Sequence, residues 1–575
     1  MPDKQRLKVV ICWHMHQPQY YNIGTQQYEL PWTYLHAIKD YVDMANILAA
    51  NPNARAVINF APILLEQLDD YSQQIDSFLT QQTPISDPLL NALANIEISP
   101  SLEQRNQMVQ ACLKANEARL IKRFPNYEKL VTIAKQLNNI EQALTYCNEQ
   151  YFSDLLVWYH LAWLGETVRR EDPFIQALIK KGALYTAEDR QLLLRLIGKL
   201  LSSIIPAYKK LRENRQIELA FSPYAHPIVP LLLDVKSAQE AMPEVTLPNC
   251  LNYPEGKARA LWHFAEGKKV FEHYFGFEPN ACWPSEGAIS EDTLKLCNEM
   301  GIHWVASGES VMRNSLEQSK TQAEFLENGC LHRSYVYQEA NKVQCFFRDD
   351  GLSDLIGFTY SNWDADDAVN NLIHHLENIC KACSTNSDAV VPIILDGENA
   401  WEHYHENGFH FLTTLYDKLA KHPEIELTTF AQAISNDITP IVLDKLVAGS
   451  WVYGSFSTWI GDKDKNKGWD LLCEAKKAFD DTINSGNLDE KEMLNACKQL
   501  AICEGSDWFW WLGDYNSADS VSDFENLYRL HLIELYRLLK KPTPENLKQV
   551  LSYGEGDPEG GGSMRHGQQQ HTRSN

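Results

Sequence analysis

The sequence predicts an α/β fold of parallel β/α units, followed by a C-terminal helical domain. Short runs of apolar and β-branched residues recur along the chain, and segments with helical periodicity separate them. Most of the runs are apolar at every position, as buried parallel strands are when helices cover both faces of a sheet. The runs span residues 7–16, 54–62, 217–223, 281–286, 303–310, 354–360 and 390–399.

Nearly all of these predicted strands end in polar or aromatic residues. The titratable ones are His14, His16, Glu286, Glu309, Asp396 and Glu398. In a parallel β/α barrel the carboxyl ends of the strands line the mouth that holds the active site. We therefore expect these side chains to face one cavity.

Two regions of the chain have helical rather than strand patterns. The second and third predicted strands are separated by far more helical sequence than one crossover needs, so we interpret residues 98–213 as a helical insertion beside the mouth. Strand patterns fade after about residue 435. We predict a catalytic domain over 1–435, a helical domain over 436–552 that completes the substrate cleft, and a disordered Gly/Gln/Ser-rich tail over 553–575.

Composition excludes several classes of partner. The net charge of the 575 residues is −24, which disfavours binding to nucleic acid or to anionic membranes. No apolar run is long enough for a signal peptide or a membrane helix, so we expect a cytoplasmic protein. The 13 cysteines are scattered and odd in number, which indicates reduced thiols rather than a disulfide framework. The CxxC at 380–383 lies in a predicted helix and is interpreted as core packing.

Two carboxylates at the ends of different strands are the candidate catalytic pair. Glu286 lies in "ACWPSEGAIS" and Asp396 in "IILDGENAWEHY". Cleavage of a glycosidic bond uses one carboxylate as nucleophile or base and a second, protonated one to assist the leaving oxygen. Each residue alone could simply cap the helix after its strand. Trp283 and Trp401 near the two acids favour the catalytic interpretation, because aromatic rings stack on sugars.

The first strand brings a histidine pair whose role the sequence leaves open. His14 and His16 share one face of the strand, since alternate residues point the same way. They could bind sugar hydroxyls, or they could form a zinc site with His226 and Asp396. No recognised metal-ligand spacing and no glycine-rich nucleotide motif is present, so we expect neither a metal nor a cofactor.

At these positions the chain resembles glycoside hydrolase family 57, a group of α-glucan-active enzymes described by five short sequence regions. The matching regions, in order, are "HMHQP", "IELAFSPYAHPIVPLL", "CWPSEG", "LDGENAW" and "GSWVYGSFSTWIG". The resemblance implies that Glu286 is the nucleophile and Asp396 the general acid/base. It also implies that Trp451 and Trp459 contact sugar. A later segment, "EGSDWFWWLGD", is similar to one that lends an aspartate to the cleft, here Asp507.

The resemblance covers about residues 8–545 and implies an incomplete (β/α)7 barrel with a retaining mechanism. It assigns His14, His16, Glu218, His226 and Arg348 to binding the sugar and tuning the acids. The fourth region departs from the family, with "NAWEHYHENG" in place of the commoner Phe-Gly continuation, which leaves the specificity open.

We expect an oligo- or polysaccharide substrate, and hydrolysis and glucanotransfer remain equally open. Two alternatives also remain: a metal-dependent deacetylase or α-mannosidase-like enzyme on a similar barrel, and a catalytically silent glucan-binding protein.

Overall fold

The computed structural model describes residues 6–99, 101–137, 142–319, 331–384, 386–436, 438–556 and 563–568. It is a mixed α/β structure with a parallel central sheet, a mixed second sheet and many helices. The strands are β1 Leu7–Met15, β2 Tyr21–Asn22, β3 Gln27–Tyr28, β4 Ala56–Phe60, β5 Ile217–Phe221, β6 Trp304–Gly308, β7 Tyr335–Tyr337, β8 Gln344–Arg348, β9 Val390–Asp396, β10 Ile425–Thr428 and β11 Ile441–Leu443.

The central parallel sheet is built around β1. This strand pairs with β10, β4 and β9, and β4 pairs in turn with β5. Eight of its nine residues are buried, which explains the nearly continuous apolar sequence "LKVVICWHM". The register sets His14 beside Asp396 of β9 and beside Asn59 of β4. The carboxyl ends of β1 and β9 therefore meet at one edge.

A second sheet follows the order β11, β7, β8, β6, with β6 and β8 parallel. Two isolated parallel bridges connect the two sheets, from Phe221 to Cys282 and from Ala281 to Trp304. The predicted strand over 281–286 is reduced to these bridges, because the backbone turns into a 3-10 helix at Ser285–Gly287.

The strand predicted over 354–360 is wrong. Residues Asp350–Asp354 are α-helical, and a π-helix over Leu355–Thr359 continues them. The strand lies just before, at β8, and it ends because the Asp349 side chain accepts a hydrogen bond from the Leu352 amide (2.8 Å) and starts the helix.

Helices fill the connections between the strands. Before β4 they are Trp32–His36 and Val42–Ala50, joined by a π-helix over Ala37–Tyr41. From β4 to β5 they are Pro62–Gln81, Pro88–Ala94, Leu102–Leu113, Pro125–Leu137, Glu149–Trp163, Glu166–Glu171, Pro173–Lys181 and Ala187–Glu213, with a π-helix over Glu117–Ile121 and a 3-10 helix over Ala143–Tyr146. From β5 to β10 they are Val229–Leu233, Ala238–Ala241, Gly256–Phe275, Glu291–Glu299, Glu309–Gln318, Ala365–Ala382 and Phe409–Ala420.

The C-terminal part is helical apart from β11, which pairs with β7. Its helices are Phe430–Ser435, Lys463–Ser485, Glu490–Cys503, Ser506–Trp511 and Ala518–Leu538. A buried ionic network joins this part to helix Gly256–Phe275. Glu504 accepts hydrogen bonds from Arg259 Nε (2.9 Å) and Tyr253 Oη (2.6 Å), and its Oε2 lies 2.8 Å from His263 Nε2. The domain boundaries at 435 and 552 stay predictions.

One pair of cysteines departs from the expectation of reduced thiols. Cys250 and Cys473 form a disulfide that ties the loop before helix Gly256–Phe275 to helix Lys463–Ser485. The two residues are 223 positions apart, so no local pattern could reveal the pairing. The other cysteines in the described part of the chain are free, and Cys330 lies outside it. Within the same described part, no helix has both the length and the apolar character needed to cross a membrane.

Candidate active site

A cavity of about 500 Å³ opens where the carboxyl ends of β1 and β9 meet the helical C-terminal part. Seven of the predicted site residues line it: His14, His16, His226, Glu286, Asp396, Trp451 and Asp507. They come from six separate segments of the sequence. The structure thus brings both candidate catalytic carboxylates into one cavity.

Glu286 is presented by a left-handed turn. Its φ is 57° and that of Gly287 is 58°, so two successive residues adopt a conformation that side chains with a Cβ disfavour. A Cβ at position 287 would lie 3.0 Å from the Trp283 ring and 3.3 Å from Ser307 Cα. Glycine is therefore required there by both conformation and space. The strained turn is what aims the Glu286 carboxylate into the cavity.

The Glu286 carboxylate is buried and has two neutral hydrogen-bond donors. Trp451 Nε1 donates to Oε2 (3.0 Å) and Ser506 Oγ donates to Oε1 (3.3 Å). The pKa of Glu286 is raised to about 8, first by burial and then by the charges of Asp396 and Asp507, while the two hydrogen bonds oppose the rise. Glu286 therefore retains a proton through neutral pH when the cavity holds no substrate.

Asp396 is the last residue of β9 and is partly exposed to the cavity. Its Oδ2 accepts a hydrogen bond from Asn399 Nδ2 (2.9 Å). Burial raises the pKa of Asp396 to about 6, while Asn399, His16 and Arg348 act in the opposite direction. Because the charge of Asp396 also raises the pKa of Glu286, the two acids titrate as a coupled pair.

Glu398 is a third acid at this edge. The sequence predicted that it faces the cavity but gave it no role in the site. Its Oε1 accepts hydrogen bonds from the His16 amide and from Gln17 Nε2, both at 3.2 Å. Burial, followed by the charge of Asp396, raises the pKa of Glu398 well above its ordinary value. These effects favour the protonated form of Glu398, and its place at the end of a predicted strand was the signal for a role in the site.

Three imidazole rings stack against one another beside the acids. The ring centroids of His16 and His226 are 3.9 Å apart, and those of His14 and His226 are 4.9 Å apart, with planes within 22° of parallel. Burial lowers the pKa of His14 to about 3 and that of His226 well below its ordinary value. Both rings are neutral at pH 7, so each can donate one hydrogen bond and accept another.

In His14 and His226 only one of the two ring nitrogens, Nδ1, has a hydrogen-bond partner in the described part of the chain. His14 Nδ1 lies 2.5 Å from Asn59 Oδ1 and His226 Nδ1 lies 2.9 Å from Ser506 Oγ. The Nε2 atoms of both rings have no hydrogen-bond partner among the described residues. Buried polar atoms that line a cavity without a partner are ready to bind the polar groups of a ligand.

His16, His226 and Asp507 could also surround a metal ion, since their ligand atoms lie within 4.8 Å of one another. This set differs from the predicted zinc set by lacking His14 and by including Asp507 in place of Asp396. His16 Nε2 lies 2.8 Å from Asp507 Oδ1. The two imidazoles are stacked face to face, however, and ring nitrogens ligate in the plane of their ring, so their lone pairs run side by side instead of converging. The geometry fits sugar hydroxyls better than one metal ion.

Several cavity residues were not among the predicted site residues. Trp32 lies in the first helix, Lys114 and Trp163 lie in the long β4–β5 connection, and Trp510 and Trp511 lie in the C-terminal part. The last two belong to the quoted segment "DWFWW", where the run of aromatics was a usable signal.

Three predicted tryptophans are not brought to the cavity. Trp283 is fully buried and packs edge-on against Trp451, with ring centroids 5.1 Å apart. Trp401 donates from Nε1 to the Gly397 carbonyl (2.8 Å), behind the strand end. Trp459 is buried with its ring 5.9 Å from that of Trp510.

Glu218 and Arg348 also lie outside the cavity wall. Glu218 accepts hydrogen bonds from Trp304 Nε1 (2.7 Å) and from the Ala431 amide (2.9 Å), so it caps helix Phe430–Ser435. Arg348 pairs with Asp350 (2.8 Å) and Asp354 (2.7 Å), and its guanidinium lies 5.7 Å from the Trp451 ring. Arg348 therefore acts on the site through its charge, which lowers the pKa of Asp396, and through the residues that it supports.

Comparisons with known proteins agree with this architecture. The family model described as glycosyl hydrolase family 57 matches residues 10–443. A branching enzyme from Pyrococcus horikoshii aligns with a TM-score of 0.55 at 15% identity, over 92% of this chain and 89% of that one. The α-amylase AmyC from Thermotoga maritima aligns with a TM-score of 0.54 at 14% identity, over 94% and 96% of the two chains.

A sequence relative covers less of the chain. The protein named "Putative alpha-amylase" from Methanocaldococcus jannaschii is 22% identical over 266 residues, which are 44% of this chain and 51% of that protein. The match thus spans about half the length of that relative. The family model over most of the chain defines the class, a glycosyl hydrolase, and its structure is mixed α/β. The chain belongs to glycosyl hydrolase family 57.

Proposed function

We propose that the protein is a retaining enzyme acting on α-1,4-linked glucans, as hydrolase or glucanotransferase, with Glu286 as nucleophile and Asp396 as general acid/base. The observation that carries this proposal is that two carboxylates from distant segments, the buried Glu286 and the half-buried Asp396, line one cavity. The α-glucan substrate is inferred from the branching enzyme and the amylases to which the chain is similar.

The proposed reaction has two steps that conserve the anomeric configuration. Glu286 attacks the anomeric carbon, the glycosidic C–O bond breaks, and Asp396 gives its proton to the departing oxygen. Asp396 then takes a proton from water or from a sugar hydroxyl, whose oxygen displaces Glu286 from the sugar. Water as acceptor gives hydrolysis and a sugar as acceptor gives transfer.

The reaction requires one proton on the pair, and the pKa values fit that requirement between about pH 6 and pH 8. In the empty cavity this proton resides on Glu286, because the pKa of Glu286 is the higher. It must lie on Asp396 when the nucleophile attacks. Substrate hydroxyls that hydrogen-bond to Glu286 would stabilise its ionised form and favour this shift.

The proposed framework is an incomplete (β/α)7 barrel. Its support is the order of neighbours β1, β4, β5, the bridge residues Ala281 and Cys282, β6, β8 and β9. The Asp349 amide at the end of β8 donates to the Pro392 carbonyl of β9 (2.8 Å), and β9 pairs with β1. In such a barrel both acids stand at the mouth.

The test is incubation with maltoheptaose and with amylose, followed by product profiling and proton NMR of the first product formed. Shorter sugars alone indicate hydrolysis, longer ones indicate transfer, and new α-1,6 branches indicate branching. We expect the first product to have the α configuration. An inverted first product would refute the two-step account.

Two variants separate the roles of the acids. Glu286→Gln should lose turnover of every substrate. Asp396→Asn should lose about 10²–10⁴-fold on maltoheptaose but far less on an aryl maltoside, whose leaving group needs no protonation. A protein that only binds glucan would convert no glucan, and Glu286→Gln would change nothing. Activity that EDTA removes and zinc restores would favour the metal-dependent alternative.

A further inference from the structure

A short segment near the C-terminus, Ser563–Gly567, packs beside the cavity. Ser563 lines the cavity itself. The Gly567 carbonyl accepts a hydrogen bond from the Tyr453 amide (3.0 Å), and the Gly567 amide donates to Asp354 Oδ2 (3.2 Å). The segment, named the strap below, therefore contacts both the loop that carries Trp451 and the helix that follows β8.

The strap also contacts the helical part on the other side of the cavity. The Arg565 guanidinium lies 4.9 Å from the Trp510 ring centroid and 4.7 Å from that of Tyr515, and its Nη2 donates to Asn516 Oδ1 (3.3 Å). A guanidinium held by two aromatic rings is a specific contact, because the ring quadrupoles attract the cation.

His566 and Gly567 complete the docking. The His566 ring lies 3.9 Å from that of Phe358, and its Nδ1 is 3.3 Å from Asp354 Oδ2. Gly567 is buried, and a Cβ at this position would lie 2.5 Å from Asp350 Cγ and 2.7 Å from Arg348 Nη1. The backbone approaches so closely that no larger residue fits.

These contacts link the strap to the catalytic acids. Gly567 touches Arg348, the Arg348 guanidinium lies 5.7 Å from the Trp451 ring, and Trp451 donates to Glu286. On the opposite side Arg565 occupies the face of Trp510, which lines the cavity. Tryptophan faces at the wall of a sugar-binding cavity are surfaces on which a glucose ring stacks.

We propose that the strap determines substrate length by closing one end of the cleft and covering Trp510, so that the enzyme acts on short linear glucans or chain ends. This inference rests on the proposed function. A long glucan chain that continues past the strap must displace Arg565 from its two rings. That contact is worth about 1 kcal/mol in an exposed setting, which corresponds to about fivefold in kcat/KM.

The experiment compares the full chain with a truncation after Gly556 and with Gly567→Ala, whose added methyl has no space while the strap is docked. Gln568→Ala is the matched control, since Gln568 is exposed. The quantity measured is kcat/KM for amylose divided by kcat/KM for maltoheptaose. We expect this ratio to rise about fivefold in the truncation and in Gly567→Ala, and to stay unchanged in the control.

A second measurement needs no turnover. Removing the strap should increase iodide quenching of tryptophan fluorescence, and the increase should vanish in a Trp510→Phe background. Active variants with an unchanged ratio, or with both substrates slowed equally, would overturn the strap's role and leave the proposed function standing. If neither the full chain nor any variant converts an α-glucan, the proposed function is overturned. The role of the strap in length selection then falls with it.

Discussion

Replacing Trp451 with phenylalanine isolates one hydrogen bond to the proposed nucleophile. The substitution keeps an aromatic ring beside the cavity but removes the indole N–H that donates to Glu286 Oε2 at 3.0 Å. This hydrogen bond favours the ionised carboxylate, so its loss raises the pKa of Glu286 further above the value of about 8 that burial causes.

The size of the change follows from the strength of the bond. Hydrogen bonds to charged groups contribute about 1.5–3 kcal/mol, and water from the cavity can replace part of that. A net loss of about 1.4 kcal/mol corresponds to about one pH unit. In the native protein, kcat/KM should fall below about pH 6, where the pair gains a second proton, and above about pH 8, where it loses its last one. The alkaline limb should move up by about one unit in Trp451→Phe, while the acid limb stays.

The assay is the pH dependence of kcat/KM on maltoheptaose. Trp283→Phe provides a matched control, because the same chemical change is made in the neighbouring ring, whose N–H has no partner among the described residues. That variant should leave both limbs in place. An unmoved alkaline limb in Trp451→Phe, or an equal shift in the control, would refute the reasoning about Glu286.

Three further variants test other parts of the site. Burial opposes ionisation of Glu504, but the Arg259 charge outweighs it, and the pKa of Glu504 is lowered to about 2. The ionised Glu504 therefore stabilises the folded protein fully at a pH above the ordinary pKa of a glutamate, and this stabilisation is lost as the pH falls through about 2. Glu504→Gln should therefore cost about 3 kcal/mol at pH 7 in urea unfolding, and this difference should shrink in acid. Gly287→Ala should lower kcat by misaiming Glu286 and cost about 1–3 kcal/mol of stability, measured by the same unfolding curves. Glu398→Gln should keep most activity because burial favours the neutral carboxyl form that glutamine resembles, whereas Glu398→Ala should lose about tenfold by leaving the His16 amide unpaired.

The sequence predicted the long buried strands well, because a strand covered on both faces leaves an apolar run that no surface helix imitates. The strand prediction failed where a β-forming composition and the local backbone geometry disagree. The run "DLIGFTY" over 354–360 is rich in β-formers, yet the Asp349 cap starts a helix before it, and the π-helix keeps that helix going. The strands β7, β10 and β11 have only three or four residues each, too few for a periodicity to register.

The site was predictable where its residues stand at strand ends, and less so elsewhere. His14, Glu286 and Asp396 were found because topology forces the carboxyl ends of neighbouring parallel strands together. The prediction that aromatic residues close to the acids in sequence also line the cavity was wrong for Trp283. It is three residues from Glu286, but its side chain is buried in the core. Trp163 lies on a helix of the β4–β5 connection, and its contact with the cavity depends on long-range packing that leaves no local pattern.

The helical C-terminal part lines the cavity and also affects the pKa of Glu286. Two adjacent residues of one of its helices shift that pKa in opposite directions. The Asp507 charge raises the pKa of Glu286, and the Ser506 hydrogen bond lowers it. Both residues begin a helix that follows directly after Glu504, whose buried network fastens this segment to Arg259 of the α/β part. Docking of the helical part therefore sets the proton affinity of the proposed nucleophile as well as the shape of the cleft. It follows that a change at Glu504, which touches neither acid, should move the pH profile and the unfolding free energy together.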